Sequence, residues 1–326
     1  MGLTTTSLRR SSFRLLSPLL IGALFILGSP HAWAMAVIGN EQEMETPPQD
    51  DIDVLYQDLK RDFEANPIFK NENINMYRDG VLSPWNDLSR GGNKFQATPL
   101  TQSQIKDLKP YQMLSPKVFR LAMKGMNRII DKNGPHSIRN DVLTVIDFSL
   151  HISYRRLFVF DLKNRKVLFN TWTSHGFGSD PSYSGYATKF SNDGGTKQSS
   201  VGFYRTTDQK CFDGKYIYSI RVEGIDGNLN SAAYGRGILF HNGTAFTPDM
   251  VRYYLSGNQK TIFPYFYSDG CFMISLFESG RFYGLEDKPL VELIEDTINF
   301  GSLVYVHTDE IDMETRSRWL RPGDST

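Results

Sequence analysis

The chain has few of the features that identify a nucleic-acid-binding or metal-dependent protein. Basic and acidic side chains are equal in number, 36 each among 326 residues, so the formal net charge is zero. A nucleic-acid-binding domain usually has a basic face, and this balance gives no indication of one. The six histidines and two cysteines are scattered, whereas a zinc site needs ligands clustered at short spacings. We therefore expect no nucleic-acid partner and no metal.

Other common chemistries are also without support in the sequence. There is no P-loop and no G-x-G-x-x-G turn that would bind a phosphate. Glu278 and Glu286 follow no pattern that would indicate the paired carboxylates of a glycosidase. No segment after residue 34 is apolar over the roughly 20 positions that a membrane-spanning helix needs. What remains is a globular composition, with 40% hydrophobic and 13% aromatic residues.

The first 34 residues have the organisation of a cleavable signal peptide. Arg9 and Arg10 precede an apolar stretch at residues 15–27, and Ala32-Trp-Ala34 supplies the small-x-small pattern that a signal peptidase recognises. We predict cleavage before Met35 and export to the periplasm or cell envelope. An uncleaved N-terminal anchor is the alternative. The arginine pair also resembles a twin-arginine signal, although the residues after it fit that motif poorly.

The rest of the chain divides into a linker, a main domain and a tail. Residues 35–110 are acidic and polar and are predicted as a linker with one short amphipathic helix at residues 54–64. The main domain is predicted at residues 111–310, and residues 311–326 as a C-terminal tail. The main domain begins with a predicted helix. Ser115 would cap this helix, Pro116 would be its first residue and Gly134 would end it.

Between this helix and a second one predicted at residues 290–298, the pattern changes to that of β-strands. We predict strands at residues 143–149, 156–161, 167–172, 201–205, 216–222, 237–241 and 301–307. The second and third are separated by a short polar turn and should form a hairpin. Polar segments at residues 176–200 and 244–267 are predicted as long loops, which often line binding grooves. The predicted fold class is mainly β with flanking helices.

Cys271 directly follows Gly270 at the end of an aromatic run, an unusual position for a thiol in an exported protein. In an oxidising compartment, two cysteines suggest a disulfide, here between Cys211 and Cys271. A nucleophilic cysteine needs a base within reach in the fold, and His241 is a candidate because it ends a predicted strand. The Gly270 and Cys271 N–H groups could then stabilise an oxyanion. From the residues alone, a nucleophile, a disulfide and an inert buried thiol all stay open.

A series of segments in one order resembles the murein L,D-transpeptidase catalytic domain, a YkuD-like family, and most closely its larger, divergent branch. The segments lie at residues 114–125, 143–149, 157–162, 173–176, 189–192, 200–204, 236–241 and 268–271. They extend over most of the predicted main domain, which makes the resemblance more specific than the Ser-Asp-Gly-Cys sequence ending at Cys271. It implies a β-sandwich or barrel catalytic domain.

The resemblance also implies roles for individual residues. Cys271 would be the nucleophile and His241 the general base, with Gly270 contributing to the oxyanion site. The main-chain carbonyl of Asn242 matches the position that often orients the histidine ring in this family. The remaining candidates for substrate binding are Ser268, Arg236, His175 and Tyr234. Ser268 could instead shape the turn, and His175 could instead only line the cleft or fix a turn.

Three positions depart from the family pattern. Asp269 stands where histidine is common, Asn242 separates His241 from the next glycine, and Phe272 replaces the arginine that usually follows the cysteine. Arg236, or Arg252 in the intervening loop, could supply the missing positive charge for a substrate carboxylate. Because a carboxylate beside the thiol would oppose its ionisation, we predict that Asp269 faces solvent or pairs with a cation.

The implied reaction is peptidoglycan cross-linking without a metal or organic cofactor. The thiolate would attack the peptide bond after the third residue of a stem tetrapeptide and release D-alanine. An amine from a second stem peptide or from an envelope protein would then resolve the thioacyl-enzyme. Resolution by water would make the same site an L,D-carboxypeptidase. The alternative of another class is a non-catalytic envelope-binding domain with a Cys211–Cys271 disulfide.

Overall fold

The computed structural model describes residues 49–69, 112–210, 218–243, 267–275 and 278–323. The chain divides into two compact units, Met1–Glu43 and Met44–Thr326, and every described residue lies in the second. The predicted signal peptide, Cys211, Arg252 and all but the last residue of the loop at residues 244–267 lie outside the described residues. Among the described residues, no helix combines the length and the apolar character needed to cross a bilayer.

The centre of the domain is one mixed sheet of eight strands that curves into a near-barrel. The strands are β1 (Arg139–Asp147), β2 (Leu157–Asp161), β3 (Lys166–Thr171), β4 (Gly202–Lys210), β5 (Ser219–Gly224), β6 (Leu239–Gly243), β7 (Phe272–Ser275) and β8 (Ser302–His307). Their order across the sheet is β3-β2-β1-β8-β4-β5-β6-β7. The pairs β1–β8 and β6–β7 are parallel, and the other neighbouring pairs are antiparallel. This confirms the mainly β fold class.

The chain segments that flank the two end strands meet and nearly close the sheet. Ser174, just after β3, donates its N–H to the Met273 carbonyl of β7 at 3.1 Å. Gly176 forms a parallel bridge with Ser268. We call residues 173–177 together with 267–273 the seam. Cys271 lies in the seam, so the closure of the sheet determines the surroundings of its thiol.

Seven of the eight strands coincide with predicted strands, with ends that differ by a few residues. The strand predicted at residues 216–222 is observed at Ser219–Gly224, and residues 216 and 217 lie outside the described chain. Strand β7 was not predicted, because its four residues directly follow the turn at Cys271 and are too few for a clear alternation. β8 is buried at all six positions, as expected for a strand in the middle of a covered sheet.

In the described part of the chain, four α-helices flank the sheet: α1 (Gln49–Ala65), α2 (Pro116–Asn133), α3 (Leu290–Ile298) and α4 (Met313–Arg316). Helix α3 has the predicted bounds. Helix α2 begins at Pro116 as predicted, although the Ser115 hydroxyl makes no capping hydrogen bond. Gly134, at φ 92°, ends this helix and donates its N–H to the Ile130 carbonyl at 2.7 Å.

Helix α1 is longer than the predicted segment of residues 54–64 and is part of the hydrophobic core. Its Leu59 is 0% exposed. The Tyr56 hydroxyl donates to the Leu114 carbonyl at 2.8 Å, and Asp62 accepts the Val167 N–H of strand β3 at 2.9 Å. The apolar residues spaced at three and four positions therefore pack α1 against the main domain.

Residues 311–323 pack onto the domain through a few buried side chains, so the prediction of a C-terminal tail there was wrong. Trp319 and Leu320 are buried, at 5% and 0% exposure. Buried Asp226 holds this segment, because its carboxylate accepts the Ser317 hydroxyl at 2.7 Å and the Arg318 N–H at 2.8 Å. Burial raises the pKa of Asp226 to about 6. Because the segment is mostly polar, its sequence did not indicate that a few of its side chains are buried.

Candidate active site

Strands β6 and β7 place His241 and Cys271 on the same face of the sheet. His241 lies opposite Met273 in the parallel pair, and Cys271 precedes Met273 by two residues. Residues two apart along a strand share a face, and the strands lie roughly 4.8 Å apart. The alternate residues Phe240 and Phe272 point to the opposite face and are 0% exposed. Two core aromatic rings thus fix which way the imidazole and the thiol project.

The imidazole of His241 is held by the backbone of the next residue. Its Nδ1 lies 2.8 Å from the Asn242 carbonyl oxygen. A carbonyl only accepts, so Nδ1 is the donor and the neutral ring presents Nε2 as its basic nitrogen. Asn242 is itself fixed by β5, because its side-chain oxygen accepts the Tyr218 N–H at 3.0 Å. The arrangement agrees with the ring-orienting carbonyl that the resemblance implied.

The turn before Cys271 requires glycine at position 270. Gly270 has φ +120°, a backbone conformation that L-amino acids rarely adopt. A Cβ atom there would lie 2.8 Å from the Gln198 carbonyl oxygen and 3.2 Å from Arg236 Nη2. The backbone of residues 198–199 therefore packs directly on the turn.

Serine hydroxyls hold the carbonyl groups of this turn. Ser268 Oγ donates to the Cys271 carbonyl at 2.7 Å, and Ser174 Oγ donates to the same oxygen at 3.3 Å. Ser199 Oγ donates to the Gly270 carbonyl at 3.3 Å. Neither Ser174 nor Ser199 could be identified from the sequence, because serines are common in loops and neither lies near Cys271 in the chain.

The Gly270 N–H is already used inside the turn. It donates to Ser268 Oγ at 3.1 Å, so it does not point into the site as an oxyanion donor in this state. An oxyanion role for Gly270 would require this bond to open, and that role stays a prediction. Ser268 closes the turn by accepting from residue 270 and donating to residue 271, which identifies it as a turn-forming residue.

The Cys271 side chain is half-buried and is directed toward Gly237, just before the start of β6. Its Sγ donates to the Gly237 carbonyl at 3.6 Å, a long contact that is normal for sulfur. A hydrogen bond donated by the thiol stabilises the neutral form over the thiolate. For the thiol to ionise, its hydrogen must turn away from the Gly237 carbonyl and be transferred to a stronger base.

Asp269 points away from the thiol, as predicted. Its carboxylate lies 3.2 Å from Lys197 Nζ, and the two side chains are 73% and 55% exposed. Solvent and the lysine charge both screen this carboxylate from Cys271. The departure from the family pattern at this position is therefore compatible with a reactive thiol.

Comparison with known protein families gives one match over this part of the chain. The model of the L,D-transpeptidase catalytic domain matches residues 110–279, just over half of the 326 residues. The chain belongs to the L,D-transpeptidase catalytic domain family. Membership supports a peptidoglycan-modifying function. Comparisons with curated proteins and with solved structures gave no significant match.

In this L,D-transpeptidase domain, His175 does not contact a substrate groove, contrary to prediction. The side chain is 0% exposed, and its Nδ1 lies 2.7 Å from Arg156 Nη2. Guanidinium groups only donate, so Nδ1 accepts and Nε2 carries the proton. Burial, followed by the Arg156 charge, lowers the pKa of His175 well below its usual value. The ring is a neutral core residue behind the seam.

Arg236 lies beside the Cys271 turn, but its guanidinium group is bound to neutral oxygens. Nη1 donates to the Ser191 carbonyl at 2.7 Å, and Nη2 donates to the Gln198 carbonyl at 2.5 Å. These bonds hold the segment that packs over Gly270. The positive charge is close to the site, although the observed contacts are with the loop and not with an open groove.

Tyr234 lies at the surface and is 39% exposed. Its ring is covered on one face by the Arg221 guanidinium group, 4.9 Å from the ring centroid. Its carbonyl accepts from Arg221 Nη1 at 3.3 Å. A substrate contact by Tyr234 stays a prediction. No group of three or more possible metal ligands occurs in the described part of the chain.

Proposed function

We propose that the chain is an exported L,D-transpeptidase in which Cys271 is the nucleophile and His241 the general base. One observation carries the proposal: the β6–β7 register puts both side chains on one face, with Nδ1 of His241 bound to the Asn242 carbonyl. From ideal sheet spacings, Cα atoms so related lie on the order of 8 Å apart. An imidazole and a thiol can bridge that separation.

The first step is proton transfer from the thiol. The Cys271 S–H leaves the Gly237 carbonyl and turns toward His241 Nε2, which takes the proton. The neighbouring imidazolium then stabilises the thiolate, as it does in other cysteine nucleophiles. The Asn242 carbonyl stabilises the imidazolium because it accepts from Nδ1 in both protonation states.

Acylation and resolution then use the same two residues. The sulfur forms a bond to the carbonyl carbon of the third stem residue, the bond to D-alanine breaks, and His241 returns the proton to the leaving amine. An acceptor amine from a second stem peptide or an envelope protein attacks the thioester. His241 takes the proton of that amine, a new amide forms and the Cys271 thiol is regenerated. If water attacks instead, the product is a tripeptide.

Export is part of the proposal, because the donor and acceptor peptides are in the cell envelope. The motif at residues 1–34 supports it. N-terminal sequencing of the mature protein should start at Met35. A mature protein that still begins at Met1 would contradict cleavage.

The test is product analysis after incubation of purified protein with a stem tetrapeptide. Formation of cross-linked dimers indicates transpeptidation, and formation of tripeptide alone indicates the carboxypeptidase. Both products should disappear in Cys271→Ala and fall strongly in His241→Ala. If neither product forms and native protein contains a Cys211–Cys271 disulfide, the non-catalytic envelope-binding alternative is correct.

A further inference from the structure

The segment that carries Cys271 is tethered to a buried carboxylate on the other side of the seam. Tyr267, four residues before Cys271, donates its hydroxyl to Asp180 Oδ2 at 2.8 Å. Both side chains are buried, at 7% and 0% exposure. A hydrogen bond to a carboxylate is stronger than one between neutral groups, especially away from water. The tether therefore fixes the start of the turn.

Asp180 is itself fixed by the loop that follows it. Its Oδ2 also accepts the Gly185 N–H at 2.6 Å. Its Oδ1 accepts the Ser184 N–H at 2.9 Å and the hydroxyls of Ser184 and Ser182 at 3.0 and 3.2 Å. Five donors thus surround one buried carboxylate. Such a group is a rigid anchor, because any shift leaves several donors unsatisfied.

The neighbouring histidine adds no ion pair to this anchor. His175 Nε2 lies 4.0 Å from Asp180 Oδ2 and has no hydrogen-bond acceptor within the described chain. Because the pKa of His175 is lowered by burial, the ring is neutral and the contact is not a salt bridge. The His175 ring instead packs edge-on against Tyr267, with centroids 4.9 Å apart. It therefore restricts the tyrosine ring sterically.

The backbone continues the tether as far as the next residue. Ser268 donates its N–H to the His175 carbonyl at 3.1 Å, and Phe177 donates its N–H to the Ser268 carbonyl at 2.7 Å. Residues 267 and 268 are thus held by the segment that contains Asp180. Residues 270 and 271 are held by serine hydroxyls. The approach to the thiol is thus held by residues 174–180, by Ser199 and by bonds within the turn itself.

We propose that Asp180 and Tyr267 are positioning residues for the Cys271 nucleophile. The inference rests on the proposed function, since positioning matters only if the thiol attacks a substrate. Both residues act through the turn, since the hydrogen bonds described for them join Tyr267 to Asp180 and Asp180 to residues 182–185. A displacement of about 1 Å at a reacting group can reduce turnover by roughly 100-fold. Loss of the tether should therefore lower kcat while leaving KM nearly unchanged.

The experiment compares two tyrosine-to-phenylalanine variants that each remove one buried hydroxyl. Tyr267→Phe removes the bond to Asp180, and Tyr56→Phe removes the bond from α1 to the Leu114 carbonyl. The parent tyrosines are similarly buried, at 7% and 6% exposure. For each protein we would measure the thermal midpoint, kcat and KM with tetrapeptide, and the rate of Cys271 alkylation by iodoacetamide.

The expected result is that Tyr267→Phe lowers kcat about tenfold or more, changes KM less than about threefold and changes the alkylation rate. Tyr56→Phe should lower only the thermal midpoint. Equal kcat values and equal alkylation rates for the two variants would overturn the positioning proposal. Should Tyr267→Phe not fold, Asp180→Asn is measured in the same way, with the same expected and contradicting results.

The two proposals fail separately in this design. If wild-type protein does not turn over tetrapeptide, the proposed function is wrong, whatever the variants do. Should wild-type turn over and Tyr267→Phe match Tyr56→Phe, only the positioning role is wrong.

Discussion

The seam and the rest of the sheet are held together by different interactions. Strands β1, β2 and β8 pair through backbone ladders, with one irregularity in the β1–β8 pair, and most of their side chains are buried. In the seam, side-chain groups make most of the bonds that hold the Cys271 turn, from Ser174, Ser199, Ser268 and Tyr267. Apolar burial stabilises without direction, whereas hydrogen bonds fix orientation. The difference suggests that the seam is organised for geometry at the thiol and the rest of the sheet for stability.

The largest stability effect should come from the packed body of the domain. Leu59→Ala in α1 removes a fully buried side chain and should cost about 2–5 kcal/mol in the free energy of unfolding. Helix α1 meets β3 at Val167, near the start of the strand, whereas the seam follows the end of the strand, so kcat should not change. Urea unfolding and turnover of the folded protein check both parts. A loss of kcat without a loss of stability in Leu59→Ala would contradict the proposed difference between the seam and the rest of the sheet.

Gly270→Ala should lower both stability and kcat, because it alters the turn of the seam that carries Cys271. The substitution places a Cβ 2.8 Å from the Gln198 carbonyl oxygen and forces alanine to φ +120°. We expect a loss of roughly 1–3 kcal/mol in stability, together with a fall in kcat of about 100-fold as the turn shifts. Urea unfolding and tetrapeptide turnover measure the two effects. A variant with wild-type kcat would show that the turn geometry is not required.

Acid should destabilise the domain through buried His175 and half-buried His151. Burial lowers the pKa of His175 and of His151 in the folded state below the usual value of 6.5. As pH falls below about 6.5, the unfolded chain takes up protons that the folded chain does not, so the free energy of unfolding decreases. His175→Gln should therefore show a shallower decrease between pH 7 and pH 5 than wild type in urea titrations. Identical slopes would mean that His175 protonates equally in both states.

The smallest effect should come from the exposed ion pair of Lys197 and Asp269. Exposed pairs contribute about 0–1 kcal/mol, so Lys197→Ala should leave stability nearly unchanged. Asp269→Asn should change the Cys271 alkylation rate less than about twofold, since solvent already screens the carboxylate. A tenfold faster alkylation in Asp269→Asn would show that this carboxylate opposes thiolate formation.

Hydrophobic periodicity was sufficient to predict most of the sheet and the helices. Seven strands and helices α2 and α3 follow from local patterns, because each element buries one face or both. The seam could not be predicted in this way. Its contacts join Ser174 to Met273 and Asp180 to Tyr267, residues that are far apart in the chain and carry no pattern. The burial of His175 could not be predicted either. Its partner Arg156 is a fully buried charged residue, and arginine is usually expected at the surface.

The pair of Cys271 and His241 was predictable mainly through the family resemblance. A cysteine and a histidine 30 positions apart have no spacing that indicates contact. The parallel register of β6 and β7 adds the physical reason, because the two strands run side by side from their starts and project the imidazole and the thiol on the same face. The hydrogen bond from His241 to the Asn242 carbonyl could be expected only from the resemblance.

The most direct test of the account is the mass of the protein after brief exposure to tetrapeptide. Wild-type protein should gain the mass of the tetrapeptide less D-alanine, located on Cys271 by peptide mapping. The adduct should be absent in Cys271→Ala and should form at least about 100-fold more slowly in His241→Ala. An adduct on another residue, or one that forms at the wild-type rate in His241→Ala, would contradict the proposed pair.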